Sequence, residues 1–211
     1  MFQNITKDTR SNILIAASKL FMEKGFDRTS VSDIINEVGI AKGTLYHHFD
    51  SKEEIMDELI AIKTQSIIVK VREIAEDRSM SIEDRFIKSI AAMSIVNQDE
   101  NKAMMDHMNS PQNALMHQKI NKILLNEIPN ILSIIIKDGI AEDVFKTPYP
   151  LEAIEIAVVY LETLMSRNLL DLGPSQIVSR IEIFFYNFER ILGVEQGKLE
   201  YIKNAFIDNL N

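Results

Sequence analysis

The sequence predicts an all-α fold, with a small head of three helices followed by a larger helical body. Apolar residues recur at three- and four-residue spacing along most of the chain, the repeat of a helix face. No run alternates apolar and polar residues as a half-buried strand does. Only 7 Gly and 5 Pro interrupt 211 residues.

Taken in order, the first helix runs roughly from Lys7 to Lys24. Ile13, Ala16, Ala17, Leu20 and Phe21 form its apolar stripe, and Gly25 stands where a left-handed C-cap would end it. A short second helix carries Val31, Ile34, Ile35 and Val38 on one face. Ser30 and Asp33 cap its start, and Gly39 ends it. A third helix spans about Lys42–His48. A fourth starts at Ser51, where Ser51 and Glu54 form another capping pair, and reaches about Glu76. Further helices are expected near Ile82–Asn97, Lys102–Asn109 and Gln112–Lys137, the last broken by Asp138-Gly139. Two long helices follow, about Leu151–Leu170 and Ser175–Leu192, split by Gly173-Pro174. A final helix is expected over Glu195–Leu210.

Composition narrows the function. With no cysteine, disulfides, thiolate nucleophiles and cysteine-based zinc sites are excluded. The polar start of the chain and the absence of an 18-residue apolar run predict a cytoplasmic protein with no membrane partner. The net charge of −8 is unevenly spread. Residues 1–52 hold seven Lys and Arg against six Asp and Glu, a net +1, which leaves −9 for the remainder. An acidic body behind a near-neutral head tends to turn the head toward a polyanion.

The segment 29–52, TSVSDIINEVGIAKGTLYHHFDSK, has the layout of a helix-turn-helix. Gly39 reverses the chain with a geometry that a side chain resists, and Ile40 plugs the turn. Leu45 and Phe49, four apart, anchor the second short helix. Lys42, Gly43, Thr44, Tyr46 and His47 are left on its outer side. His47 and His48 project about 100° apart and make a poor metal pair.

This segment resembles the signature of the TetR family of bacterial transcriptional regulators. The matching residues are Thr29-Ser30, Ile34, Gly39, Gly43, Thr44-Leu45-Tyr46, His48-Phe49 and Ser51-Lys52-Glu53. Ala16-Ala17, Leu20-Phe21 and Gly25-Phe26 fit the family's first helix. The resemblance covers about residues 7–60, and beyond them only the helical layout agrees. It implies that the second short helix enters the major groove of double-stranded operator DNA. Lys42, Gly43, Thr44, Tyr46 and His47 then become groove and backbone contacts, and Thr29, Ser30 and Lys52 phosphate contacts. Position 41 departs from the pattern: it is Ala where relatives often carry a capping Ser or Thr. The implied organisation is a DNA-binding domain of residues 1–52 and an effector-binding and dimerisation domain of residues 53–211.

The resemblance also implies a homodimer, paired through the two long helices near the C-terminus as a four-helix bundle. The expected interface residues are Ile154, Val158, Leu161, Met165, Ile177, Ile181, Phe184 and Phe188. Five of the ten methionines cluster at Met93, Met104, Met105, Met108 and Met116. Flexible, polarisable side chains suit a cavity for an apolar effector. Phe86 and Tyr160 are candidate walls for Met104, Met108 and Met116, with Asp106 or His107 as the polar anchor. No cofactor, metal or catalytic residue is expected, because the phosphate-binding, dinucleotide, nucleophile-elbow and zinc-protease motifs are absent. The function expected is a repressor released from its operator by a small, largely apolar effector. A helical enzyme or adaptor that binds no DNA is the alternative, and it leaves segment 29–52 unexplained.

Overall fold

The structure is a computed structural model that describes residues 8–95, 114–165 and 172–208. Every regular element among them is helical: α1 (Thr9–Lys24), α2 (Val31–Val38), α3 (Lys42–His48), α4 (Lys52–Glu76), α5 (Ile82–Ile95), α6 (Ala114–Ala141), α7 (Pro150–Met165), α8 (Pro174–Leu192) and α9 (Glu200–Asp208). The helix expected at Lys102–Asn109 lies outside the described residues. None of the described helices is long and apolar enough to cross a membrane.

The chain divides into two compact units. One comprises Met1–Gln65 and Glu100–Lys122, the other Ser66–Asp99 and Ile123–Asn211. In the first unit, Ile13, Ala17 and Phe21 of α1, Ile34 of α2, Leu45 of α3 and Ile55 and Met56 of α4 are all almost wholly buried. In the second, Val71, Phe86, Ile131, Ile135, Ala153 and Ile181 lie at the centre of one apolar cluster.

Several boundaries differ from expectation, each for a local reason. Asp138-Gly139 does not end α6, which continues to Ala141. A Cβ at Gly139 would stand 2.4 Å from the Phe145 ring, so the glycine admits a packed aromatic rather than a helix stop. Asp138 is held by ion pairs to Arg78 and Arg85. Pro129 sits inside the same helix and withdraws the N–H that would reach the Leu125 carbonyl. The final helix starts at Glu200 rather than Glu195. The buried Glu189 carboxylate accepts from Gln196 Nε2 and from the backbone N–H groups of Gly197 and Leu199, holding 196–199 as a turn. Gly25 ends α1 at φ 85° and ψ 156°, a positive φ outside the left-handed helical region that was expected.

A candidate nucleic-acid interface

The head is built from short-range devices that hold α3 on its surface. Asp8 caps α1, accepting from Arg10 N at 3.1 Å. Ser30 and Asp33 form a complete capping box at α2: Asp33 N donates to Ser30 Oγ, and Ser30 N donates to Asp33 Oδ2 at 2.8 Å. The Ser30 hydroxyl and backbone, then the Lys24 ammonium, hold the Asp33 carboxyl at about 2. Gly39 adopts φ 74° and ψ 37°, the left-handed turn that separates α2 from α3. Ion pairs Lys19–Glu37 and Lys24–Asp33 join α1 to α2. At the start of α4, Glu54 N donates to Ser51 Oγ, while the Glu54 carboxylate accepts from Asp50 N rather than from Ser51.

Within that frame α3 has two faces. Leu45 and the following Phe49 are buried, and His48 is half-buried. Lys42, Gly43, Tyr46 and His47 are exposed, Tyr46 at 43%, and Thr44 is half-exposed. Lys42 Nζ stands 5.8 Å from the Tyr46 ring centroid. A Cβ at Gly43 would meet nothing within 4 Å, so the chain itself does not require a glycine there. Ala41 caps α3 with no side-chain hydrogen bond, as its methyl group dictates.

Two residues expected at phosphate are turned inward. Thr29 is 1% exposed, and its hydroxyl lies 2.8 Å from the Gly25 carbonyl and 3.2 Å from that of Leu20. Lys52 is half-buried. Its Nζ donates to the Phe26 carbonyl at 2.7 Å and stands 4.1 Å from the centroid of the Phe26 ring. Ser30 is exposed, with its hydroxyl engaged by Asp33. Arg10 was not singled out in the sequence. It pairs with Glu58 through both terminal nitrogens and lies 4.9 Å from the Phe49 ring centroid, tying α1 to α4 over the anchor of α3. An Arg and a Glu 48 residues apart carry no local signal of that pairing.

The expected interface residues on the two long helices are mostly interior. Ile154, Ile181, Phe184 and Phe188 are buried in the second unit's own core, and Val158, Leu161 and Ile177 are partly buried. The side chain of Met165 lies outside the described residues. The apolar residues that face outward are their neighbours: Ile156, Val159 (52% exposed) and Tyr160 on α7, and Ile183 (57%) and Tyr186 on α8. Both helices carry apolar residues on more than one side, and sequence spacing alone could not say which side turns inward.

The effector candidates among the described residues are divided between the two units. Phe86 is buried, edge-on to Phe145 at 6.3 Å. Tyr160 stacks on Phe184 at 5.4 Å and keeps 37% exposure, a surface position on α7. Met116 is half-buried and belongs to the first unit, whereas Phe86 and Tyr160 belong to the second. Met104, Asp106, His107 and Met108 lie outside the described residues.

Known proteins share this layout. Residues 13–59 match the family described as bacterial regulatory proteins, tetR family, and residues 94–186 match a tetracyclin repressor-like C-terminal domain. The HTH-type transcriptional repressor KstR2 of Rhodococcus jostii (strain RHA1) is 45% identical over 65 residues, 31% of this chain and 32% of the relative. The fatty acid metabolism regulator protein of Bacillus subtilis (strain 168) is 31% identical over 129 residues, 61% of this chain and 66% of the relative. The chain thus spans between about a third and just under two thirds of the length of these relatives. The crystal structure of the TetR family transcriptional regulator PfmR from Thermus thermophilus superposes with a TM-score of 0.56 at 25% identity, covering 90% of this chain and 99% of that one. Head and body each match their counterpart, and the chain belongs to the TetR family of bacterial regulatory proteins.

Proposed function

We propose that this chain is a cytoplasmic, ligand-responsive transcriptional regulator that binds double-stranded operator DNA as a homodimer. It acts as a repressor released by a small, largely apolar effector. Residues 1–52 form the DNA-binding domain, and residues 53–211 bind the effector and dimerise.

The observation that carries this reading is the two-sided α3. Leu45 and Phe49 fix it from behind, and Lys42, Gly43, Tyr46 and His47 stand outward with Thr44 at the edge. A helix held this way fits the major groove, with Tyr46 and His47 toward base edges and Lys42 toward phosphate. The open space around Gly43 favours close approach of an external backbone. Ser30, exposed at the α2 N-terminus, would meet phosphate by exchanging its hydroxyl's hydrogen bond to Asp33. Thr29 and Lys52 would contribute mainly by holding the turns they brace.

A single seven-residue helix reads few base pairs, and two heads about 34–36 Å apart would read two half-sites. The outward Ile156, Val159, Ile183 and Tyr186 favour α7 and α8 as the pairing surface for a second copy. The similarity to a regulator named for fatty acid metabolism favours an apolar effector. The test is electrophoretic mobility shift of duplex fragments from the protein's own promoter region. The reading expects retardation that survives excess non-specific DNA. Retardation that the competitor abolishes, or none at low salt, would contradict it.

A further inference from the structure

Helix α5 turns one face into the core of the second unit. Ile82, Arg85, Phe86, Ser89 and Ala92 recur on it at three- and four-residue spacing, and all are buried. Met93, partly buried, packs against the same cluster. Ser89 is 0% exposed, and its hydroxyl has no hydrogen-bond partner. It is the one buried side-chain polar atom in that condition among the described residues.

Hydroxyls on helices usually return to a carbonyl of the preceding turn. Three in this chain do: Thr64 donates to Ile60 O, Thr163 to Val159 O and Ser133 to Asn130 O, each at 2.8 Å. A buried hydroxyl left without a partner is costly, and folded chains rarely keep one. On the same face of α5, Phe86 stands one turn before Ser89 and Met93 one turn after. A lone polar group on an apolar wall is the arrangement by which small-molecule sites orient a ligand. Arg85, the cation on this face, is committed: its guanidinium donates to the Ala75 carbonyl and pairs with Asp138 at 2.7 Å. Among the described residues of this face, a carboxylate ligand would therefore find no uncommitted cation.

We infer that Ser89 is the polar contact for the effector, a neutral molecule with an apolar body and one hydrogen-bonding oxygen that lies against Phe86 and Met93. This rests on the effector reading proposed above. The Ser89 hydroxyl is both donor and acceptor, so it takes an alcohol, ketone or ester oxygen equally.

The first test needs no ligand. In the full-length protein at fixed concentration, Ser89→Ala removes an unpaired buried hydroxyl and raises the melting temperature by about 2–4 °C. Ser133→Ala is the control: it is as deeply buried and helical and gains the same helix propensity, but it loses a made hydrogen bond and produces no such rise. A fall in melting temperature for Ser89→Ala would show that the hydroxyl already has a partner, and would overturn the assignment. The second test uses 1-octanol and n-octane as probes. 1-Octanol should stabilise the wild-type protein more than octane does, and Ser89→Ala should erase that difference while keeping the octane shift. If the preference for octanol survives in Ser89→Ala, the anchor is wrong and the effector reading stands. If neither probe shifts either protein, the apolar-effector reading falls and this assignment with it.

Discussion

Lys52, the first residue of α4, reaches back to Phe26. Its ammonium donates to the Phe26 carbonyl at 2.7 Å and stands 4.1 Å from the ring centroid. The lysine that the family resemblance assigns to a phosphate thus also braces α4 to the turn that follows α1. Phe26 in turn meets Phe21 edge-on at 5.1 Å, so the brace reaches the core of the head.

Lys52→Ala should therefore act on folding as well as on DNA. It removes a hydrogen bond and a cation–π contact, and about 1–2 kcal/mol of stability should go with them. Lys42→Ala, on an exposed residue, should leave stability within about 0.5 kcal/mol of wild type. It should instead flatten the salt dependence of DNA binding by about one logarithmic unit per unit of log salt. Urea denaturation and a salt titration of binding separate the two.

The outward apolar residues of α7 and α8 predict a split between association and folding. Ile183→Asp or Val159→Asp should give a folded monomer with unchanged helix content. Ile181→Asp buries a carboxylate in the core and should cost several kcal/mol, unfolding the second unit. Sedimentation with circular dichroism distinguishes a folded monomer from an unfolded chain.

Glycines at 43 and 139 predict opposite outcomes. Gly139→Ala puts a methyl group into the Phe145 ring and should destabilise by about 1–3 kcal/mol. Gly43→Ala meets open space inside the chain and should be neutral or stabilising by up to about 1 kcal/mol through helix propensity. On the proposed function it should nonetheless weaken operator binding, because the methyl group faces the DNA. Thermal melts and binding isotherms on both variants check this.

The α2 capping box predicts an acid sensitivity. The Asp33 carboxyl is held at about 2, below its ordinary 3.8, by Ser30 and Lys24. Its ionised form therefore stabilises the fold above the ordinary carboxylate range, and that stability is lost as pH falls from about 4 through 2. Asp33→Asn should flatten the fall in melting temperature across that window relative to wild type. An unchanged profile would remove Asp33 from the account.

What the sequence made legible were features whose causes lie within a few residues of one another. Ser30 caps Asp33 three positions on, Gly39 takes the left-handed turn, and Leu45 and Phe49 bury together because they are four apart. Distant partners were not legible. Thr29 turns inward because the Leu20 and Gly25 carbonyls receive it, and Lys52 because Phe26 does. Glu189 delays α9 by gripping backbone 8–10 residues further along. Gly139 reads as a helix stop until Phe145 is seen against it. On α7 and α8, apolar residues lie on several sides, and only packing distinguishes Ile181, which is interior, from Ile183, which is not.

If the outer face of α3 reads duplex DNA, binding isotherms must change for the double variant Lys42→Ala with Tyr46→Ala. The substrate is a labelled promoter duplex, titrated at two salt concentrations alongside a melting curve of the same preparation. The double variant should keep its melting temperature, lose at least about tenfold in affinity and show a shallower salt dependence. A folded double variant that binds the duplex with wild-type affinity and salt slope would contradict it.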